Sequence, residues 1–190
     1  TDPKALSLVE TLTLDTVTLD EVIKSETIKD IPSPDFLSLD TQGSELEILK
    51  GGRIAIQNTV VAIATEVSFT QMYEKQPLFG ELTDYLNEIG FELASLEIFN
   101  TESHSRRMPV GLRGRGFVQS GEALFLRKLS HYRTIEEKII SQLKQAFIAF
   151  CFEFYDQTFA VLNSLSFKEI EAIVSNDTDK VNYLLFLIEL

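Results

Sequence analysis

Asp35-Phe36-Leu37-Ser38-Leu39-Asp40-Thr41-Gln42-Gly43-Ser44-Glu45-Leu46-Glu47-Ile48-Leu49-Lys50-Gly51-Gly52 is the stretch from which the fold can be read. Phe36 to Leu39 is short and mostly apolar, the composition of a strand buried in a parallel sheet. Asp40 ends it and Thr41-Gln42-Gly43 makes a turn. Ser44 to Lys50 then has helical spacing, with Ser44 placed to cap the helix, Glu47 at its third position and Gly51-Gly52 to stop it. Strand, acidic end, tight turn and helix in this order make one unit of an α/β sheet.

The same alternation continues outward. Upstream, Thr18-Leu19-Asp20-Glu21 opens a short helix through a capping box, and Ile31-Pro32-Ser33-Pro34 breaks it off. Downstream, Val60 to Ala64 reads as a second buried strand followed by Thr65-Glu66. Leu78, Phe79, Leu82, Tyr85, Leu86 and Ile89 recur at helical spacing, and Gly90 closes that helix. Phe91 to Leu96 is a third strand. Residues 99–121 read as a long polar loop, and Ala123 to Leu126 as a final strand. Strands alternating with helices predict a parallel sheet. The last strand has only a loop before it, so it is expected to pair antiparallel at or near its predecessor. From Thr134 the pattern changes to capping boxes (Thr134 to Glu137, Ser166 to Glu169) and phenylalanine-rich helical spacing. Two or three helices packed on the sheet or on a partner are expected there. The division is 1–129 for the sheet domain and 130–190 for a helical extension.

The formal charge of −12 disfavours the nucleic-acid backbone as a partner. No apolar run reaches the roughly 18–20 residues of a membrane span. The chain opens on Thr1-Asp2-Pro3-Lys4 without a leader pattern, and it ends inside the apolar run Leu184 to Leu190. Both ends therefore read as those of a fragment. Cys151 is the single cysteine, so no internal disulfide forms; this fits a cytoplasmic location, with Cys151 expected as a small buried hydrophobe. His104 and His131 lack metal-ligand spacing, and no metal site is expected. Arg106 to Lys128 is locally basic. An arginine-rich loop serves either solubility or the grip on a small anionic group, and both readings stay open here.

The quoted stretch resembles the signature of the FkbM family of methyltransferases: a strand ending in Asp, a glycine, a glutamate, and a leucine-lysine-glycine helix end. Thr18-Leu19-Asp20-Glu21, Thr65-Glu66-Val67-Ser68-Phe69, Gly90-Phe91-Glu92-Leu93 and Glu122 to Arg127 are similar to further family segments, so the likeness runs over about residues 17–128. Gln42 stands where the family often has glutamate. The resemblance implies an α/β, Rossmann-like methyltransferase sheet of which this chain carries strands four to seven, the last antiparallel, with the helical extension appended. It also implies S-adenosylmethionine (SAM) as cofactor, with the main binding motif in the three strands not present here. Gly111-Leu112-Arg113-Gly114-Arg115-Gly116 follows no βα unit and is rejected as a nucleotide loop.

The implied reaction is methyl transfer to the hydroxyl of a small acceptor, a sugar, polyketide or related metabolite. Alignment of nucleophile and methyl removes on the order of 7–11 kcal/mol of barrier. A general base adds about 10²–10⁴-fold. In open parallel sheets ligands bind outside the carboxyl ends of strands, so Asp40 and Glu66 are the first and second candidates for base or orienting group. His104 is a third, on the loop. Arg106, Arg107 and Arg113 are candidates for substrate binding. Each has a plainer reading: a helix cap for Asp40, a solvated carboxylate for Glu66, a solvated loop for the rest. The competing function is a non-catalytic binding module that keeps the substrate half of the fold. Homodimerisation through an exposed sheet edge or the helical tail is the expected assembly.

Overall fold

The computed structural model describes residues 10–25, 32–102, 116–132 and 135–166. The elements are α1 (Leu19–Lys24), β1 (Phe36–Leu39), α2 (Glu45–Gly51), α3 (Arg53–Asn58), β2 (Ala62–Ser68), α4 (Phe79–Glu88), β3 (Phe91–Glu102), β4 (Phe117–Arg127), α5 (Ile135–Cys151) and α6 (Tyr155–Asn163). The fold is α/β with a four-stranded mixed sheet in the order β1-β2-β4-β3. β1 and β2 are parallel, and β4 runs antiparallel to both of its neighbours. The expected antiparallel last strand is present, inserted between β2 and β3.

The local signals behind this are mostly the expected ones. Thr18 caps α1 through Glu21 N, and Glu21 Oε2 returns a bond to Thr18 N at 2.7 Å, completing the capping box. Those bonds hold the Glu21 carboxyl below its ordinary value. Asp20 reaches further: its carboxylate accepts from Ile54 N and Ala55 N and so caps α3, a helix not foreseen because Gly51-Gly52 reads as a stop.

Alternation along the strands sends two different surfaces to the two faces of the sheet. Ile63, Val67, Ala123, Phe125 and Phe91 pack with Leu49, Ile56, Leu82 and Leu86 under α2–α4. On the other face Ala62, Ala64, Leu124 and Leu126 pack against Ala149 of α5, with Phe36, Ile148 and Phe154 around them. Each fully buried large side chain contributes roughly 1.5–3 kcal/mol. The small residues of β2 let α5 lie close.

Several expectations are corrected. β1 is half-buried rather than buried, because it lies at the edge of this sheet. β2 starts and ends later than expected, so Glu66 is its fifth residue and not a residue beyond it. Both ends of the supposed loop 99–121 are strand: residues 99–102 extend β3 and 117–121 open β4, while 103–115 lie outside the described residues. Cys151 is exposed at the end of α5. The extension contributes α5 and α6, and the Ser166 capping box runs into undescribed residues, as does the one at Thr134.

Arg127 departs most from its expected place. It belongs to the basic stretch considered for gripping an anion, yet it is 4% exposed. Its guanidinium donates to Val60 O, Gln57 O and Ile56 O, the last carbonyls of α3 and the entry to β2. Phe91 and Tyr132 lie against it, 5.0 and 5.7 Å from ring centre to guanidinium carbon. A cation at a helix C-terminus with aromatic cover is a structural clamp.

Candidate functional site

Asp40 follows the last residue of β1, and Glu66 lies near the end of the parallel strand β2. The parallel register Leu39↔Thr65 brings them to one side of the sheet's carboxyl end. A single side chain joins them. Gln42 Nε2 donates to Asp40 Oδ1 at 2.8 Å and to Glu66 Oε2 at 3.0 Å. Its carbonyl Oε1 accepts from the hydroxyl of Tyr73 at 3.0 Å.

Two loops present this group, each organised by a buried polar side chain. In the first, Glu45 is 5% exposed, and its Oε1 accepts from Thr41 N, Thr41 Oγ1 and Gly43 N. The expected cap, Ser44, instead donates to Thr41 O and makes no cap bond. The carboxylate one residue later ties down the turn instead, because it reaches back over the segment that precedes its own helix. The turn forces Gln42 to φ 56° and Gly43 to φ 109°. A left-handed residue other than glycine costs on the order of 1–3 kcal/mol unless its surroundings hold it. In the second loop, Gln76 donates to Ser68 Oγ and accepts from Met72 N and Tyr73 N. A Cβ on Gly43 would meet Gln76 Cγ and Tyr73 Cδ2 at 3.3 Å, so the two loops are packed together where Gln42 meets Tyr73.

Beside this group is a cleft of about 230 Å³ lined by Ser38, Leu39, Asp40, Glu66, Phe99, Gly121 and Glu122. Glu66 is the direct cross-strand partner of Glu122, and Glu122 of Glu97. Residues in such register project to the same face. Carboxylates therefore run across three strands where α5 no longer covers the sheet. A smaller hollow of about 90 Å³ continues past Glu122 and Glu97 to Phe152. Glu66's carboxyl is held above its ordinary range, first by desolvation and then by the neighbouring Asp40 and Glu45 carboxylates. Such a group is suited to taking a proton.

Residues 4–93 match the model of the FkbM methyltransferase domain family. The match is to the methyltransferase FkbM domain and takes in Asp40, Gln42, Glu45, Glu66 and Tyr73, but not β4 or the helical extension. It begins earlier and ends earlier than the 17–128 read from the motifs. No curated protein and no solved structure matches the chain. Among the described residues no helix is long and apolar enough to cross a membrane. Of the site residues expected from sequence, Asp40 and Glu66 come together within the FkbM segment. His104, Arg106, Arg107 and Arg113 lie outside the described residues. Gln42, Tyr73 and Glu122 were not foreseen as site residues. Gln42 carried a signal, its departure from the family pattern. Glu122 was quoted only as part of a family-like segment, because the last strand was expected from Ala123 whereas β4 begins at Phe117.

Proposed function

We propose that the chain is the acceptor side of a SAM-dependent O-methyltransferase, carrying strands four to seven of the family's sheet. The observation that carries this reading is the carboxylate pair Asp40–Glu66 at the carboxyl end of two parallel strands, inside the FkbM segment. The order β1-β2-β4-β3, with an antiparallel strand between two parallel ones, supports the strand assignment.

When bound, SAM supplies the methyl group. The described residues do not fit its nucleoside. The one turn beside the cleft that could cradle an anionic or polar ligand has its Thr41 and Gly43 amides already donated to Glu45. The chain's own residues supply the other half of the reaction. An acceptor hydroxyl entering the cleft between Phe99 and Asp40 meets carboxylate oxygens that accept its hydrogen bond, orient the oxygen and take its proton. Glu66, with its raised proton affinity, is the group on which that proton comes to rest, and Asp40 orients the hydroxyl. The loop arginines Arg106, Arg107 and Arg113 bind the outer part of the acceptor. The location is cytoplasmic. With β1 at the sheet edge, a second copy pairs there, and sedimentation of the chain should show a dimer.

The test has two arms. Calorimetric titration of this chain with SAM should show no low-micromolar binding; such binding would place the cofactor site within these residues. In a full-length parent, Asp40→Asn, which weakens the acceptor that orients the hydroxyl, should lower kcat by about 10²-fold with SAM affinity little changed. Normal turnover of that variant would reduce Asp40 to a structural end-cap.

A further inference from the structure

The side chain best connected in the site is neither of its carboxylates. Gln42 makes one hydrogen bond to each of them and a third to Tyr73, and these are the three contacts that decide which way an amide faces. A flipped amide would turn its oxygen toward two carboxylates and its nitrogen toward the Tyr73 hydroxyl, losing two bonds to charged acceptors. The orientation is therefore set by the site and not by chance. The backbone agrees. Gln42 is held at φ 56°, in the left-handed region, by a turn tied down through Glu45. Tyr73 is held by Gln76 through Tyr73 N.

We infer that Gln42 is the positioning residue of this site: its amide locks the Asp40 and Glu66 carboxyls side by side with one oxygen of each engaged, so that both present their remaining oxygens to a single acceptor hydroxyl. This rests on the reading of the cleft as an acceptor site, and it adds to that reading the part that makes two carboxylates act as one. Two carboxylates this close repel each other unless a donor stands between them, and an amide donates two hydrogens without bringing a charge or a titration of its own. Among the described residues, the groups that face Glu66 are Asp40 from the end of β1, Glu45 from α2 and Glu122, its partner on β4. All are acidic, so the amide and the Tyr73 hydroxyl behind it are the balancing dipoles.

Carbon-detected NMR titration of the Asp40 and Glu66 carboxyls, in this chain, tests the inference without any methyl transfer. In Gln42→Leu, which has similar bulk and no amide, the first proton should go onto the pair at higher pH than in the wild type. Tyr73→Phe, which frees the amide to turn, should move it in the same direction by less. Gln42→Asn is too short to span both carboxyls and should behave like Gln42→Leu. An amide fingerprint with the β2 and β4 signals in place shows that a variant is folded, and Tyr73→Phe carries the test if Gln42→Leu is not. Carboxyls that titrate as in the wild type in the folded variants would overturn the inference. A shifted titration in a parent enzyme that transfers no methyl group would instead leave Gln42 in its role and remove the proposed reaction.

Discussion

Replacing Arg127 with methionine is the most informative perturbation of the scaffold. The side chain keeps its length and apolar stem, but Val60 O and Ile56 O lose their donors inside the fold and the half-buried Gln57 O loses its donor near the surface. Each buried acceptor left unpaired costs roughly 1–3 kcal/mol. Two of them, with part of the third and the lost contacts to Phe91 and Tyr132, come to about 3–6 kcal/mol. The variant no longer buries a guanidinium, which returns part of this. A net loss of about 3 kcal/mol is expected from a total that for domains of this kind is about 5–15 kcal/mol. At roughly 2–4 °C per kcal/mol for a chain of this size, the melting midpoint should fall by about 6–12 °C. Arg127→Lys keeps the charge but cannot fork to three carbonyls, and should lie between the two. Thermal melting followed by circular dichroism measures both. A midpoint for Arg127→Met within about 2 °C of the wild type would mean that water replaces the guanidinium freely, and the clamp would be a surface feature.

Glu45→Ala removes the acceptor for Thr41 N, Thr41 Oγ1 and Gly43 N and should cost about 1.5–3 kcal/mol; amide exchange at Thr41 and Gly43 should speed up, and unchanged exchange would deny the loop its anchor. A Cβ on Gly121 would stand 2.2 Å from Glu97 O and 3.3 Å from Ile98 Cα, so Gly121→Ala must part β3 from β4 at the cleft and should lower stability by about 1–3 kcal/mol, read by urea denaturation. Glu66 is favoured protonated in the fold, so its contribution to stability is present at low pH and lost as pH rises through the raised value. Glu66→Gln should therefore gain on the wild type as pH climbs above the ordinary 4.5, and parallel stability curves for the two proteins would remove that coupling.

Apart from α3, the order of elements from α1 to β4 was legible because each carries a local signal: the capping box at Thr18, the apolar run at Phe36, the helical spacing after Leu78. What stayed hidden depends on distance. Nothing near Arg127 in sequence says that its partners are carbonyls 67 to 71 residues away. The Asp20 cap on α3 spans 34 and 35 residues and is equally silent. The β3–β4 pairing within 99–121 was missed for another reason. Its strands bear exposed polar and aromatic residues, such as Glu97, Phe99 and Phe117, because no helix among the described residues covers this end of the sheet. Alternation fades where one face is not buried. Asp40 and Glu66 were found through a rule about strand ends, which holds even though Glu66 sits inside its strand. Gln42 was passed over as a mild departure from a pattern because its meaning lies in what its amide touches.

The division of one sheet face explains why the cleft lies where it does. Ala62, Ala64, Leu124 and Leu126 supply the apolar half, and α5 covers it through Ala149 and Ile148. One step further along the same strands the residues become Glu66 and Glu122, with Glu97 beside them, and α5 ends at Cys151. Like charges opposite one another weaken a sheet. A sequence selected for stability alone would continue the alanine and leucine pattern and lengthen the helix. Here the local rule is broken in three adjoining strands at once, at the carboxyl end and beside the bridged pair. Concentrated violations of this kind mark the part of a structure kept for binding or chemistry. The Phe36–Phe152 contact, with ring centres 5.8 Å apart, adds aromatic cover to the apolar half beside Ala62. The helical extension, beyond the FkbM match, reaches through Phe152 into the smaller hollow that adjoins the cleft at Glu122.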